Sequence, residues 1–235
     1  MSTIPSFLIP SSEAERLHSI RDHDLIHSLR EPVFNEFVAL TARIFSLPVS
    51  LIALVEETDV YYPANYGMPG HNGQPREEAL CASAILHETP VVYTDLTFEQ
   101  DPLITVQAAQ AARNNKFQFY AAAPLRMPNQ HRIGTLCIID RHPRVFSDGE
   151  RHLLENLAAL VSQTLVVRHA CLRQPRSGAA RWNDLHTQLQ EEVQALTALV
   201  RYMFTRHGTQ IPVPADILTQ VGRRLHDLQE ILDQS

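Results

Sequence analysis

Cys81 lies in "LCASAILHETPVVYTD", residues 80–95, among small residues and just ahead of a β-rich run. A reactive cysteine needs a base or a positive field to lower its thiol pKa. At helical spacing its neighbours are Glu77, Glu78, Ala84 and Ile85, and His87 falls off that face. The glutamates would push the thiol up, so Cys81 reads as a small buried hydrophobe in a wall rather than as a nucleophile. Cys137, between Leu136 and Ile138, reads as core, and Cys171 as a partly exposed residue at a helix end. The 3 cysteines have no CxxC spacing, which points to a reducing compartment and away from a disulfide framework or a cysteine zinc site.

The 12 histidines raise the question of a metal. His23 and His27 stand four apart, the spacing of a helical zinc pair, but neither Asp24 nor His18 aligns as a third ligand. A solvated helix face is the expectation, with no metal. HExxH, GxSxG, the P-loop and GxGxxG are absent from the sequence. "RHPR" (141–144) reads as a basic turn bonded to Asp140, and Asn114–Asn115 as a helix end.

The elements that must position these residues follow from capping and periodicity. Ser12 to Glu15 has the form of a capping box and predicts a helix ending near Arg30, before Pro32. Pro32 opens a second helix with an apolar face through Phe34, Phe37, Val38 and Ile44. "VSLIALVEE" reads as a buried strand and "VYYPANYG" as its hairpin partner, with Pro63 at an edge or bulge. Residues 68–78 read as a loop, "EALCASAILHE" as a short helix, "PVVYTD" as a strand and "QDPLITVQAAQAARNN" as a helix. "KFQFYAAAPLRMP" and "HRIGTLCIIDR" form a hairpin of central strands, and a capping box at Ser147 and Glu150 opens a long helix to Leu172. Beyond a linker at 173–181, apolar residues at spacings of four and three from Leu185 to Met203 and from Ile217 to Leu232 predict a helical hairpin. Each helix has one apolar seam, which must be covered by the main domain or by a second copy.

A chain of 235 residues, 44% hydrophobic and 20% charged, is ordinary for a globular protein. Its net charge of -6 argues against nucleic acid and against anionic membranes as partners. The first residues, "MSTIPSFLIPSSEAER", lack a basic n-region and read as a flexible segment (1–11) rather than a signal peptide. No apolar stretch is long enough for a membrane helix, so the expected location is the cytoplasm.

The order of elements and six words within them resemble the GAF domain, the small-molecule-sensing domain of phytochromes and cyclic-nucleotide phosphodiesterases. The likeness is greatest to the bacterial subgroup found ahead of histidine kinases and diguanylate cyclases. The words are "EAERLHSI", "VSLIALVEE", "LCASAIL", "TPVVYTDLTFEQDPLI", "FQFYAAAPLR" and "IGTLCIIDRHPRVFS"; the likeness covers roughly residues 12–170, within a domain expected at 12–172. Ala122 departs from the usual glycine of the fifth word, and Leu80 and Ser83 from the usual Phe and His around the cysteine. Neither Cys81-Ala82 nor Cys171-Leu172 supplies the Cys-His pair of bilin attachment, and residues 182–235 match no family word.

The resemblance implies an α+β fold, a GAF/PAS-like central antiparallel sheet flanked by helices, extended here by the C-terminal helical hairpin. It also implies a non-catalytic sensory or regulatory protein that binds a small molecule between the sheet and residues 77–115. The cofactor or ligand is unknown. The pocket is expected to be lined by Cys81, Ile85, Phe98, Phe119, Ala121, Ala123 and Leu136. Small residues at 121–123 and Gly134 either make room for the ligand or accommodate the helix carrying Cys81; both readings stand. A homodimer and a signalling protein partner complete the expectation, with a ligand-free interaction module as the alternative and a thiol enzyme or bilin photoreceptor as the third reading.

Overall fold

The computed structural model describes residues 4–234, with the side chain of His207 left aside. Residues 1–3 and Ser235, the outermost parts of the expected flexible segment and hairpin, lie outside the described residues. A 3-10 turn at Ser6–Leu8 docks Leu8, 1% exposed, and the Leu8 carbonyl accepts a hydrogen bond from Arg76.

The first predicted helix is two. Helix α1 spans Glu13–Asp22 and α2 spans Leu25–Ser28, separated by Asp24 in a left-handed conformation (φ 48°). The expected Ser12 cap does not form. Ser12 has φ -101° and ψ 32° rather than the extended backbone that aims a capping hydroxyl at the first turn; the neighbouring Glu13 pairs with the buried Arg16 and Arg76. Helix α3 (Pro32–Ile44) begins on Pro32, as expected.

Six strands form one antiparallel sheet: β1 Val49–Val55, β2 Asp59–Tyr66, β3 Gly73–Pro75, β4 Val91–Tyr93, β5 Phe119–Arg126 and β6 Arg132–Asp140, in the order β3-β2-β1-β6-β5-β4. The fold is α+β. The β1–β2 register shifts between Ile52 and Leu54, a bulge that places Pro63 where a missing N–H costs least. Strand β3 emerges from the predicted loop. It is too short and polar to carry a periodic signal, and it forms by adding to the β2 edge.

Helices α3 and α6 (Asp148–Leu172) cover one face of the sheet; α4 (Leu80–Ala84) and α5 (Val106–Asn114) lie against the other. The Ser147–Glu150 capping box of α6 is formed. Helices α7 (Gly178–His207) and α8 (Ala215–Asp233) are the expected hairpin, and Gly208 caps α7 with φ 75°. Helix α7 starts inside the expected linker, where the Cys171 carbonyl comes within 1.8 Å of where a Gly178 Cβ would stand. That packing also leaves Cys171 buried rather than partly exposed.

Both seams, Leu185 to Met203 and Ile217 to Leu232, are buried within the single chain. Helix α7 packs on α3 and α6, and α8 on α6, so the main domain supplies the cover that the sequence left open between itself and a second copy.

Gly134 has a role other than making room for a ligand. A Cβ there would stand 1.9 Å from the Ala53 carbonyl oxygen on β1, a backbone clash that no rotamer relieves. Gly134→Ala should therefore cost about 1–3 kcal/mol, the usual range for overpacking, read as a lowered urea midpoint with unchanged m. An unshifted midpoint would mean that β1 and β6 separate freely at this step.

Candidate functional site

Alternation sorts the hairpin strands onto two faces. Phe119, Ala121, Ala123 and Leu125 on β5, with Leu136 and Ile138 on β6, join the core beneath α3 and α6. Tyr120 and Ala122, with Cys137 and Ile139, face α4 and α5. A small cavity lies on that second face. Its floor is Leu51, Tyr62, Tyr120 and Ile139; its roof is Leu80 and Cys81 of α4 with Ala108, Ala111 and Ala112 of α5. Met68, His71, Gln74 and Glu78 from the β2–α4 segment close one side, and Asn115 and Phe117 the other.

Of the seven predicted residues, Cys81 lines this cavity. Ile85 is buried in the same apolar cluster behind α4. Phe98 is 79% exposed on the loop before α5. Phe119, Ala121, Ala123 and Leu136 lie on the far side of the sheet, where the small alanines admit helix α6 rather than a ligand or α4. The physical reason is parity. A strand covered on both faces is apolar throughout, so its sequence has no alternation to say which residues face which layer.

The roof and loop are held by specific bonds. Thr105 caps α5 by accepting from the Ala108 N–H at 2.9 Å, and its hydroxyl donates to the Glu77 carbonyl, tying α5 to the 3-10 turn at Arg76–Glu78 that precedes α4. Asn65 accepts from the Met68 N–H at 3.1 Å and donates to the Met68 and His71 carbonyls at 2.7 and 2.9 Å. The His71 ring stacks on Tyr62 with centroids 5.2 Å apart, and His71 Nε2 lies 3.2 Å from Gln74 Oε1. Asn65 was missed from sequence because its work is in the loop rather than in the strand pattern.

Cys81 is 3% exposed, and the Tyr120 hydroxyl donates to its sulfur at 3.3 Å. A hydrogen bond shared with Cys137 draws the Cys81 thiol below its ordinary pKa, against the upward pull of burial, and Tyr120 assists. The same bond, with burial, pushes Cys137 well up. This reverses the direction expected from Glu77 and Glu78, because the groups that matter come from the sheet behind the helix rather than from the helix itself. Burial pushes the phenols of Tyr62 and Tyr120 well up, so both remain protonated donors at neutral pH. Tyr93, stacked on Tyr120, is also pushed up by burial and then by the hydrogen bond its hydroxyl gives Asp101 at 2.7 Å.

The cavity holds about 30 Å³. That is room for roughly one or two water molecules, well short of the few hundred Å³ of a cofactor pocket. A broader groove of about 900 Å³ runs along the β2–β3 edge past Arg30, Tyr61 and Asn72. Buried hydroxyl and thiol groups converge on the inner cavity, and it is there that a small polar-apolar ligand would find both shape and partners. Among the described residues no helix is long and apolar enough to cross a membrane.

The GAF domain family profile matches residues 30–165, more than half of the chain. A cyclic di-GMP phosphodiesterase of Pseudomonas aeruginosa is 28% identical over 157 residues, which cover 65% of this chain and 25% of that protein. The chain thus spans about a quarter of this relative's length. The GAF domain of an Acinetobacter phosphoenolpyruvate-protein phosphotransferase is 18% identical with a TM-score of 0.46, covering 65% of this chain and 96% of that one. The blue-light-absorbing PixJ GAF domain of Thermosynechococcus elongatus is 17% identical with a TM-score of 0.49, covering 60% of this chain and 86% of that one. The relative named for a phosphodiesterase activity overturns the expectation that the chain is not an enzyme. By the extent of the family match, by the order of its strands and by the helices on either face, this chain belongs to the GAF domain family.

Proposed function

We propose that the chain is a sensory or regulatory module that admits a small molecule between the sheet and helices α4 and α5 and thereby sets the level of cyclic di-GMP hydrolysis. The observation that carries this reading is the convergence of Tyr62, Cys81 and Tyr120 on one small, largely apolar cavity. The phosphodiesterase relative supports the output. The ligand enlarges the cavity by displacing α5 and residues 67–79, and it shifts the population only by as much as it prefers the opened state.

A route outward is built in. Glu31, at the start of α3, accepts from Arg168 of α6 and, at 3.0 Å, from the Trp182 indole of α7, so movement of the core helices reaches the hairpin through one carboxylate. A homodimer, a signalling protein as output partner and a cytoplasmic location belong to the same reading.

The test is a thermal-shift panel of nucleotides, cyclic nucleotides and small metabolites on the full chain, with cyclic di-GMP hydrolysis measured alongside and light scattering for the dimer. A ligand raises the melting temperature by mass action. Ala111→Leu, which fills the roof, should abolish that rise. If no compound shifts the melting temperature, or Ala111→Leu responds as fully as the native chain, the cavity is not the site. The small volume of the cavity favours a second reading, an interaction module packed by its own side chains; a flat panel together with a native mass spectrum free of bound molecules would select it.

A further inference from the structure

Helix α1 ends at Asp22 with His23 as its C-cap, and the last turns of α6 bring His169 alongside. The two imidazole rings lie 4.2 Å apart between centroids, with their planes 36° from parallel. Asp22 Oδ2 is 3.9 Å from His23 Nδ1. One ligand atom from each of the three side chains falls within 4.8 Å of the others, and no second such group of His, Cys, Asp and Glu occurs among the described residues.

We propose that Asp22, His23 and His169 bind one divalent d-block cation of the zinc class, clipping the end of α1 to the end of α6. Two imidazole nitrogens and one carboxylate suit zinc, and magnesium or calcium, which take oxygen donors, are disfavoured. Donors about 2.1 Å from a tetrahedral ion stand roughly 3.4 Å apart, so the side chains close by about 1.4 Å at most. Rotamer adjustment of partly exposed side chains supplies that. His23 Nδ1 lies 3.0 Å from the Ser19 carbonyl. A proton on Nδ1 donated to that carbonyl leaves the Nε2 lone pair for the metal, the usual way a second partner fixes a ligating histidine.

The electrostatics agree. Two helices end at the cluster, and the negative ends of their dipoles favour a cation. Of the two cations at this end of α6, Arg168 is engaged by Glu31 and the Ser28 hydroxyl, and Arg173, the C-cap, is exposed to solvent that screens it. Asp22 is half exposed, which leaves the fourth position to water. The pair suggested by sequence spacing is not the one that forms: His27 is exposed and its Nδ1 lies 2.6 Å from Asp24 Oδ1. The metal would thus join the first helix to the helix that leads into the hairpin, whatever occupies the cavity.

The full chain, purified without a histidine tag and stripped with chelator, is titrated with zinc chloride against a chromophoric competitor. One ion per chain is expected. His23→Gln and His169→Gln should each weaken binding by about tenfold or more, whereas His27→Gln leaves it unchanged. Circular dichroism checks the fold of each variant, and Asp22→Asn, at an exposed side chain, gives a further weakened variant should either histidine change disturb packing. No saturable binding, or binding that survives all three of the cluster substitutions, would overturn the site.

Discussion

Glu150→Ala should destabilise the protein by about 3–5 kcal/mol, the range for stripping one partner from a buried ion pair. Glu150 is 0% exposed and holds three segments together. One oxygen accepts from Arg144 at 2.8 Å and from the Val213 N–H at 3.1 Å, and the other from the Ser147 N–H at 2.7 Å. Arg144 in turn donates to the Phe45 carbonyl at the end of α3. Alanine leaves a buried guanidinium without a counter-charge, a Val213 amide without an acceptor and the α6 cap half made. The Val213 amide bond ties the α8 entrance to the main domain, so the loss should also appear locally, as faster amide exchange at Val213 and in the first turn of α8.

The pair itself is a weak source of net stability, because taking two charges out of water offsets most of their attraction. Arg144→Met with Glu150→Leu should therefore lose less than Glu150→Ala alone. Urea unfolding of the two variants, with exposed Glu155→Ala as a control expected within about 0.5 kcal/mol of native, decides the matter. A single-variant loss under about 1 kcal/mol would mean that water reaches Arg144 once the carboxylate is gone.

How far such features could be read from sequence depends on whether they are local. The capping box at Ser147 and Glu150 was legible because both partners sit within one turn. That Glu150 also receives Val213 was not, since nothing local marks a bond across 63 residues. The strand hairpins and the seams of α7 and α8 were legible from period and turn signals, and the family words placed them in order. Which face of β5 meets the cavity was not, because Phe119 to Leu125 is buried on both sides and carries no alternation. Tyr120, one step from the expected Ala121, is the residue that the cavity uses. The buried character of Cys81 was legible because its helix is small-residue and distinctive, yet its electrostatics were misread, since Cys137 and Tyr120 reach it only through the fold. His23 and His169 meet for the same non-local reason.

The second large effect concerns Glu13 and depends on pH. Arg16 and Arg76 are each 1% exposed, and both donate to Glu13: Arg16 through Nε and an Nη at 2.8 Å, Arg76 at 2.5 Å. The Leu8, Val55, Glu56 and Glu57 carbonyls take further donors, while Arg76 Nε is buried with no hydrogen-bond partner. One carboxylate thus serves two buried cations, and Glu13→Gln should cost about 3 kcal/mol at neutral pH. That is the low end for a buried pair, because Glu13 keeps part of its surface in water. Burial alone would push Glu13 up, but the hydrogen bonds and charges of Arg16 and Arg76 outweigh it and hold the carboxyl below 4.5. A depressed acid contributes stability that is full above its unfolded value and lost as pH falls through the folded one. The native-minus-variant difference should accordingly stay level from about pH 7 to the unfolded value near 4.5 and shrink below it. Glu56 beside them is pushed up by burial, so it works in the opposite sense above 4.5; it is common to both proteins and cancels in the difference. Denaturant unfolding of native and Glu13→Gln protein across that range gives the curve. A difference that persists unchanged into acid would show that the carboxylate is not what holds the two guanidiniums.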